Sequence, residues 1–537
     1  MNRVVPPLVI GLLFALCAGA VFLLQDPLHY PWIVTETHVK LADRPSSAAA
    51  NPTSSIKISF IGNGLKSAPS CQRQVVAMIN ALRTNCPSCV IHEFECLNPP
   101  SAHRRSYLSN EPADMPVALY ASGVVIYESA NRDLAVATCE QSEKLGGQAL
   151  QMRCLPSNTP KPMSSLAGEL EGLLAFTALL AAIGMLGTWA ACYLILKYEH
   201  LHVRFTKDPA NGGPQKIHTD PTPRVGGVAL FFALILVSMV LQTLEHRYGT
   251  REFGLLLFAA LPVFLIGLAE DVTKRVGVLA RLAVTMLGAG IGAWLLEAAL
   301  VRLDVPGLDT LLQLAPVALL LTVIAVAGVT NAFNIIDGQN GLAAGTAVIA
   351  SLAMGFVAWH IGDPLVMAAA FALAGVLIGF LAWNWPHGRI FLGDGGAYLI
   401  GFWLAELAVI LVVRNKDISP WFPLSILIYP VFETLVTIVR RKFGGLSPGA
   451  PDADHLHQLT YRRLQRQLAL GHTRDSAQQV APSKLNGFVA LYFWLPNAAL
   501  AVGATMFYTS TTALASLVLL YCVGYLLVFR SLASADR

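Results

Sequence analysis

Residues 311–342 read LLQLAPVALLLTVIAVAGVTNAFNIIDGQNGL, and the change of character along that stretch decides the fold. The first part is apolar and long enough to cross a bilayer, which takes roughly 20 predominantly apolar residues. The last part, Thr330–Leu342, gathers Asn331, Asn334 and Asp337 among glycines. Three more polar islands end apolar segments in the same way: Gly267–Asp271 (GLAED), Phe391–Ala397 (FLGDGGA) and Asp454–His457 (DHLH). Carboxylates, carboxamides and imidazoles collected at one membrane face are what a metal-assisted reaction on a lipid-borne substrate requires.

The composition agrees with a chain that lives in lipid. Of 537 residues, 55% are hydrophobic and only 13% charged, with a mean hydropathy of +0.56. Soluble domains carry about 25% charged residues. Apolar spans are expected near 6–24, 169–195, 225–243, 252–269, 278–297, 311–333, 342–360, 364–383, 397–413, 420–439, 486–508 and 512–530. The expected fold is therefore an all-α polytopic membrane protein of about twelve transmembrane helices. A formal net charge of +4 is too small to indicate nucleic-acid binding.

Basic residues set the orientation. Arg3 precedes the first span, so residues 1–25 are read as an uncleaved signal-anchor helix with a cytoplasmic amino terminus. Alternation then puts seventeen lysines and arginines in cytoplasmic loops, among them Lys197, Lys216, Arg224, Lys274, Arg281, Arg389, Arg441 and Lys484. The short outer loops carry only Arg247, Arg251, Arg302, Arg414 and Lys416. All four polar islands fall on the cytoplasmic side under this assignment.

The cysteines give an independent reading. Cys17, Cys192 and Cys522 lie within apolar spans, while Cys71, Cys86, Cys89, Cys96, Cys139 and Cys154 all fall within 26–165. An even set confined to the segment placed outside reads as three disulfides in an oxidising compartment. Residues 26–165 are thus expected to form a small disulfide-containing α/β periplasmic domain on linkers, with strands at Ile56–Ile61 and Val117–Tyr127 and a helix at Gln72–Leu82. Residues 40–55 and 155–165 read as the linkers. The domain carries no catalytic constellation, so partner binding, a homodimer contact and scaffolding all stay open for it.

Within the remaining domain, residues 166–537, the islands bring hard oxygen donors. Asn331, Asn334 and Asp337 have i, i+3, i+6 spacing and lie along one side if helical. Gly338 and Gly341, and the Gly393–Gly396 cluster around Asp394, are expected to leave room for a phosphate or metal beside the backbone. Gly288, Gly290 and Gly292 are read instead as helix-packing positions. Oxygen donors suit Mg²⁺ or Mn²⁺ and not zinc. His455 and His457, in a basic loop with Arg462 and Arg463, read as phosphate contacts or proton donors.

From about residue 170 to 530 the chain resembles the polyprenyl-phosphate sugar-1-phosphate transferase family, glycosyltransferase family 4. That family includes phospho-N-acetylmuramoyl-pentapeptide transferase and undecaprenyl-phosphate N-acetylglucosamine-1-phosphate transferases. The likeness rests on HTDPTPRVGG at 218–227, GLAED ending at Asp271, NAFNIIDGQNGLA from Asn331, FLGDGGA and HLHQL from His455. It implies transfer of a sugar 1-phosphate, an N-acetylhexosamine 1-phosphate being favoured, from a UDP-sugar to undecaprenyl phosphate, with release of UMP. It also implies a multi-pass protein of the bacterial inner membrane, cytoplasmic catalytic loops including 441–485, and a surface-glycan pathway such as that of O-antigen.

The resemblance further implies a set of roles. Asn334 and Asp394 are the expected Mg²⁺ ligands, and Asp271 orients or deprotonates the lipid phosphate. Asp337 lines the nucleotide or metal site, while His455 and His457 join these acids as catalytic residues. Lys216, Arg224, Glu270, Lys274, Asn331, Asn334 and Arg441 are the expected substrate-binding residues. The family commonly has paired aspartates where this chain has Glu270-Asp271, which leaves Asp271 matched and weakens any role for residue 270. Two other readings fit a dozen spans: a transporter of a lipid-linked or anionic solute, and an inactive relative serving as a scaffold. The motifs sit at span ends, whereas transporter sites lie near the midplane on broken helices.

Overall fold

The computed structural model describes residues 164–208, 222–243, 250–445, 454–471 and 482–536. It also describes residues 136 and 140 and the strands 35–43, 56–62, 89–97, 117–120, 123–129 and 153–155. The expected first span and the helix at 72–82 lie outside the described residues. By contacts the chain divides into two units, one of residues 30–176 with 359–363 and one of the rest.

In the first unit, β1 (Thr35–Asp43), β2 (Ile56–Gly62), β3 (Cys89–Leu97), β4 (Val117–Tyr120), β5 (Gly123–Ser129) and β6 (Arg153–Leu155) form one sheet in the order β3-β1-β2-β5-β4-β6. Every neighbouring pair is antiparallel. Two expectations need correction. The single strand expected over Val117–Tyr127 is two strands, paired from Tyr120–Gly123 to Val117–Ile126. The expected linker at 40–55 begins too early, because Lys40, Leu41, Ala42 and Asp43 complete β1. Cys154 is disulfide-bonded; the pairing of the other five cysteines lies outside the described side chains.

The second unit is helical. Its elements are α1 (Ser164–Lys197, whose first turns belong to the other unit), α2 (Glu199–Thr206), α3 (Gly226–Thr243), α4 (Thr250–Thr273), α5 (Val278–Leu295), α6 (Leu308–Leu311), α7 (Ala315–Ile336) and α8 (Leu342–Ile361). Then follow α9 (Pro364–Asn384), α10 (Gly393–Arg414), α11 (Trp421–Ile426), α12 (Ile428–Phe443), α13 (Leu456–Gly471), α14 (Pro482–Met506) and α15 (Thr511–Asp536). A two-residue ladder pairs β7 (Lys207–Asp208) with β8 (Thr222–Pro223). Ten of the described helices are long and apolar enough to cross a membrane.

The expected span at 420–439 is broken. Its helix stops at Ile426 and restarts at Ile428, with Leu427 shared as a cap. Pro430 has no N–H to donate to the carbonyl four residues back, so a continuous helix loses that bond. In the first turn of α12 the missing donor is harmless, which is where the restart places it. Pro316 similarly falls in the first turn of α7.

Burial ranks the helices. The most apolar window of α10 is 89% buried and that of α9 83%, against 22% for α1 and 17% for α15. α10 is therefore the axle of the bundle, in contact with α3, α4, α5, α7 and α9. At the end where α5 finishes, Asp304 clasps three loops. It accepts Thr511 Oγ1 at 2.6 Å and Ser419 Oγ at 3.2 Å, and Arg302 Nη1 lies 3.4 Å away. The polar islands meet at the opposite end.

Candidate active site

The site is built where α4 ends and α10 begins. The first turn of any helix leaves backbone N–H groups without intrahelical partners. Here Asp271, in the last turn of α4 and 2% exposed, supplies the acceptors. Its Oδ1 accepts the N–H of Asp394 and its Oδ2 that of Gly395, both at 2.9 Å. One carboxylate thus caps a helix whose own N-cap, Leu392, makes no side-chain cap bond. A negative charge at a helix start is favoured by the helix dipole as well.

Asp394, the second residue of α10, is gripped from two other elements. Arg224 Nη2 donates to its Oδ1 at 3.3 Å, and Arg281 Nη1, from the first turn of α5, donates to its Oδ2. Arg224 Nε also stands 3.9 Å from Asp271. The segment carrying Arg224 is laid alongside 391–392 by backbone bonds: Phe391 N–H to Pro223 O at 2.8 Å, Gly226 N–H to Phe391 O at 2.9 Å and Gly227 N–H to Leu392 O at 2.9 Å. The motifs PRVGG and FLGDGGA are therefore one strand-like ribbon in space.

The glycines serve this contact, which corrects the expectation that they make room for a ligand. A Cβ on Gly267 would stand 2.6 Å from Gly395 Cα, so α4 and α10 cross backbone to backbone. Gly396 packs on Gly227 and Leu392 in the same way. Gly393, at φ +75°, takes a conformation that L side chains rarely adopt, and a Cβ there would meet Asp271 Oδ2. Gly338 lies against the His457 ring, and Gly341 against Trp385 and Trp494. The packing reading holds for Gly288, beside Val263, and for Gly292, beside Glu406, whereas a Cβ on Gly290 would meet nothing within 4 Å.

Asp337 closes α7 as its C-cap, its N–H bonded to Asn334 O at 3.3 Å. Its carboxyl is held well above the usual carboxylate range, first by burial and then by Asp394 and Asp271, with Arg224 opposing. Three carboxylates thus share a site with two guanidiniums, Arg224 and Arg281. That excess of acid fits one additional cation. No three Asp, Glu, His or Cys side chains among the described residues are placed to hold a metal alone. Mg²⁺ is ordinarily held by one or two carboxylates, with substrate phosphates and water completing its shell. The donor set fits that pattern, and each Asp394 oxygen keeps a second lone-pair direction beyond its arginine.

The histidines come from the opposite wall. His455 and His457 are 6% and 0% exposed, so they are not surface side chains. Their rings stack at 5.4 Å and 3°. His455 Nδ1 lies 3.0 Å from Glu433 Oε1 and 3.2 Å from Thr437 Oγ1. Neither His457 nitrogen has a hydrogen-bond partner. Burial, with the neighbouring His455, pushes its pKa down to about 3 against the opposing pull of Glu433. His457 is therefore a neutral ring seated on Gly338.

The other expected residues fall into three groups. Asn331 donates Nδ2 to Ala327 O at 2.8 Å and to Thr285 Oγ1 at 3.5 Å, a tie between α7 and α5. Glu270 Oε2 accepts the N–H of Val276 at 2.7 Å and so shapes the turn after α4, where Lys274 is exposed at φ +54°. Asn334 is half-buried one turn before Asp337, and Arg441 is buried in the last turn of α12. Lys216 lies outside the described residues.

Sequence reasoning missed three features. The loop charge pattern marks Arg281 only as a topology residue, although it pairs with Asp394. Glu433 lies inside an apolar segment, and an acid there is itself a functional signal. A carboxamide lattice also escaped notice: Asn486 Oδ1 accepts Asn340 N–H at 2.7 Å, Asn384 Oδ1 accepts Gly341 N–H at 2.6 Å, and Asn340 Nδ2 donates to Pro386 O at 3.1 Å. It fastens the loop after Asp337 to α9 and α14.

Comparison with known proteins agrees with this geometry. The profile described as glycosyl transferase family 4 matches residues 253–412, which span Asp271, Asp337 and Asp394. The chain is 29% identical over 323 residues to a decaprenyl-phosphate N-acetylglucosaminephosphotransferase of Mycolicibacterium smegmatis, covering 54% of this chain and 74% of the relative. It is 27% identical over 270 residues to a probable undecaprenyl-phosphate N-acetylglucosaminyl 1-phosphate transferase of Bacillus subtilis, covering 49% and 71%. With a Thermotoga maritima undecaprenyl-phosphate alpha-N-acetylglucosaminyl 1-phosphate transferase the identity is 29% over 253 residues, covering 47% and 72%. Over residues 253–412 the chain matches the glycosyl transferase family 4 profile, and it is similar to polyprenyl-phosphate N-acetylglucosamine-1-phosphate transferases.

Proposed function

We propose that this protein transfers an N-acetylhexosamine 1-phosphate from a UDP-sugar to undecaprenyl phosphate, releasing UMP, at the cytoplasmic face of a bacterial inner membrane. The observation that carries the reading is the convergence of Arg224, Asp271, Arg281, Asp337 and Asp394 at one end of the bundle, joined there by His457 at Gly338. N-acetylglucosamine is the favoured sugar, because the relatives named above carry it in their names. The charge bias of the loops supports the cytoplasmic orientation.

An oxygen of the lipid phosphate attacks the β-phosphorus of the donor. The bond from that phosphorus to the bridging oxygen breaks, and its electron pair leaves on UMP. A new diphosphate then joins lipid and sugar. Phosphoryl transfer of this kind depends on positioning and on neutralising charge over the nonbridging oxygens. Mg²⁺ or Mn²⁺, bound through Asp394 with Asn334 or Asp337, would supply that neutralisation at the donor diphosphate. Arg224, Arg281 and Arg441 add fixed positive charge around the phosphates, and Lys216, Lys274 and His455 are further candidate phosphate contacts.

A phosphate monoester has a second pKa of about 6, so the acceptor is already dianionic at neutral pH and needs no obligatory base. That suits Asp271, whose two oxygens are occupied by backbone N–H groups. Its part is to hold the start of α10, and with it Asp394, in place.

The test is UMP release from membranes containing the protein, supplied with undecaprenyl phosphate, Mg²⁺ and a panel of UDP-sugars. Release that needs both lipid and one UDP-N-acetylhexosamine is expected. No release with any donor would leave the transporter or scaffold reading in its place.

A further inference from the structure

Glu433 is 1% exposed, in the second turn of α12, yet its carboxylate is well supplied with donors. Oε1 accepts the N–H of Leu456 at 3.3 Å and faces His455 Nδ1 at 3.0 Å. Oε2 accepts the hydroxyl of Tyr525, from the last helix, at 2.7 Å. A carboxylate buried this deeply is strongly unfavourable unless such donors satisfy it, and three donors from two segments, 455–456 and the helix of Tyr525, do so.

The arrangement fixes the protonation of His455. An ionised carboxylate only accepts hydrogen bonds, so the proton between Glu433 and His455 resides on Nδ1. Nε2 is then the nitrogen left to exchange protons with a ligand. The plane of the ring is fixed as well. His455 stacks on His457, and His457 rests on Gly338, next to Asp337. A line of contacts thus runs from Tyr525 through Glu433, His455 and His457 to the acidic centre.

We infer that Glu433, buttressed by Tyr525, is a positioning residue that makes His455 a charged donor, aimed through Nε2 at the phosphate oxygens of the nucleotide diphosphate. This rests on the transferase reading above. The gain belongs to the transition state, where negative charge builds on the departing UMP oxygen and an imidazolium stabilises it. Loss of Glu433 should consequently lower kcat more than it raises the KM for the donor.

The experiment is a double-mutant cycle on the full chain in native membranes, reading UMP release from UDP-N-acetylglucosamine and undecaprenyl phosphate. Glu433→Gln keeps the shape and an acceptor oxygen but loses the charge. It is expected to lower kcat about 100-fold, the lower end of the range for a positioned acid–base group, with the donor KM changed less than about threefold. Glu433→Gln combined with His455→Asn should be no slower than His455→Asn alone, because both changes remove one unit. Tyr525→Phe, which deletes a single donor and keeps the ring, should lower kcat several-fold and likewise add nothing to His455→Asn. It provides the test if Glu433→Gln fails to accumulate.

Multiplying losses, or a Tyr525→Phe enzyme with wild-type kcat, would overturn the inference and leave the transferase reading standing. A wild-type protein that releases no UMP with any donor overturns both.

Discussion

Asp394 carries more of the site than any other side chain, since it is held by both Arg224 and Arg281 and lies on the helix that Asp271 caps. Replacing it with asparagine keeps the size and removes the charge that both guanidiniums neutralise. Asp394→Asn is expected to lower UMP release by more than about 100-fold with expression and detergent-extracted monodispersity intact. Turnover within about threefold of wild type would contradict its place at the centre.

His457 makes a prediction of a different kind. Its folded-state pKa, about 3, lies below the ordinary value of 6.5. Between those values the unfolded chain takes up a proton that the folded protein refuses, so stability falls as pH drops from about 6.5 toward 3. At pH 5 the deficit is roughly 2 kcal/mol. His457→Gln should remove that part of the acid sensitivity. Thermal unfolding in detergent at pH 7.5 and pH 5 measures it, and equal shifts for the two proteins would refute the argument. The acids and histidines of the islands were legible in the sequence because they interrupt apolar runs. Glu433 and Arg281 were not: the first hides inside such a run and the second is one basic residue among many at span ends. Only the fold shows which carboxylate or imidazole each one meets.

At the scale of elements, hydropathy marked most helices to within a few residues, because a lipid-crossing helix must be continuously apolar. It failed where backbone chemistry overrides composition. The 420–439 segment is apolar enough to span, yet Pro430 divides it into α11 and α12, and the restart gives α12 the buried face of Glu433, Thr437 and Arg441. Val117–Tyr127 fails similarly, since strand propensity runs straight through the residues where the chain reverses. The roles of the glycines follow from helix crossing, which a single sequence does not display. Gly267→Ala is accordingly expected to force α4 off α10, costing about 1–3 kcal/mol and displacing Asp271 from the N–H groups it caps. A drop in both melting temperature and UMP release is the expected result. Gly290→Ala, with open space around it, is the control that should change neither. Loss in the control alone would defeat the crossing argument.

For the whole molecule, the sequence separated a cysteine-bearing segment from a greasy one, and the structure divides the chain into an antiparallel sheet unit and a helical bundle. The charge bias of the loops predicts the bundle's orientation. Single cysteines at 274 and 463, introduced into a chain lacking Cys192 and Cys522, should react with a membrane-impermeant maleimide only in inverted vesicles. A cysteine at 416 should react only in right-side-out cells. Labelling of 274 and 463 from opposite sides would dismantle the site, because α4 and α13 would then reach different compartments.

The near-complete burial of α10 bears on how such a protein is made. A helix with almost no face left for lipid gains little from sitting in the bilayer by itself, and its glycine-rich start has nothing to grip until matching surfaces exist. Those surfaces belong to α3, α4, α5, α7 and α9, all of which leave the ribosome first. The nascent chain therefore prepares a socket before the helix bearing Asp394 is synthesised, and Asp271, Asp337 and Asp394 come together as that segment arrives, ahead of the histidines.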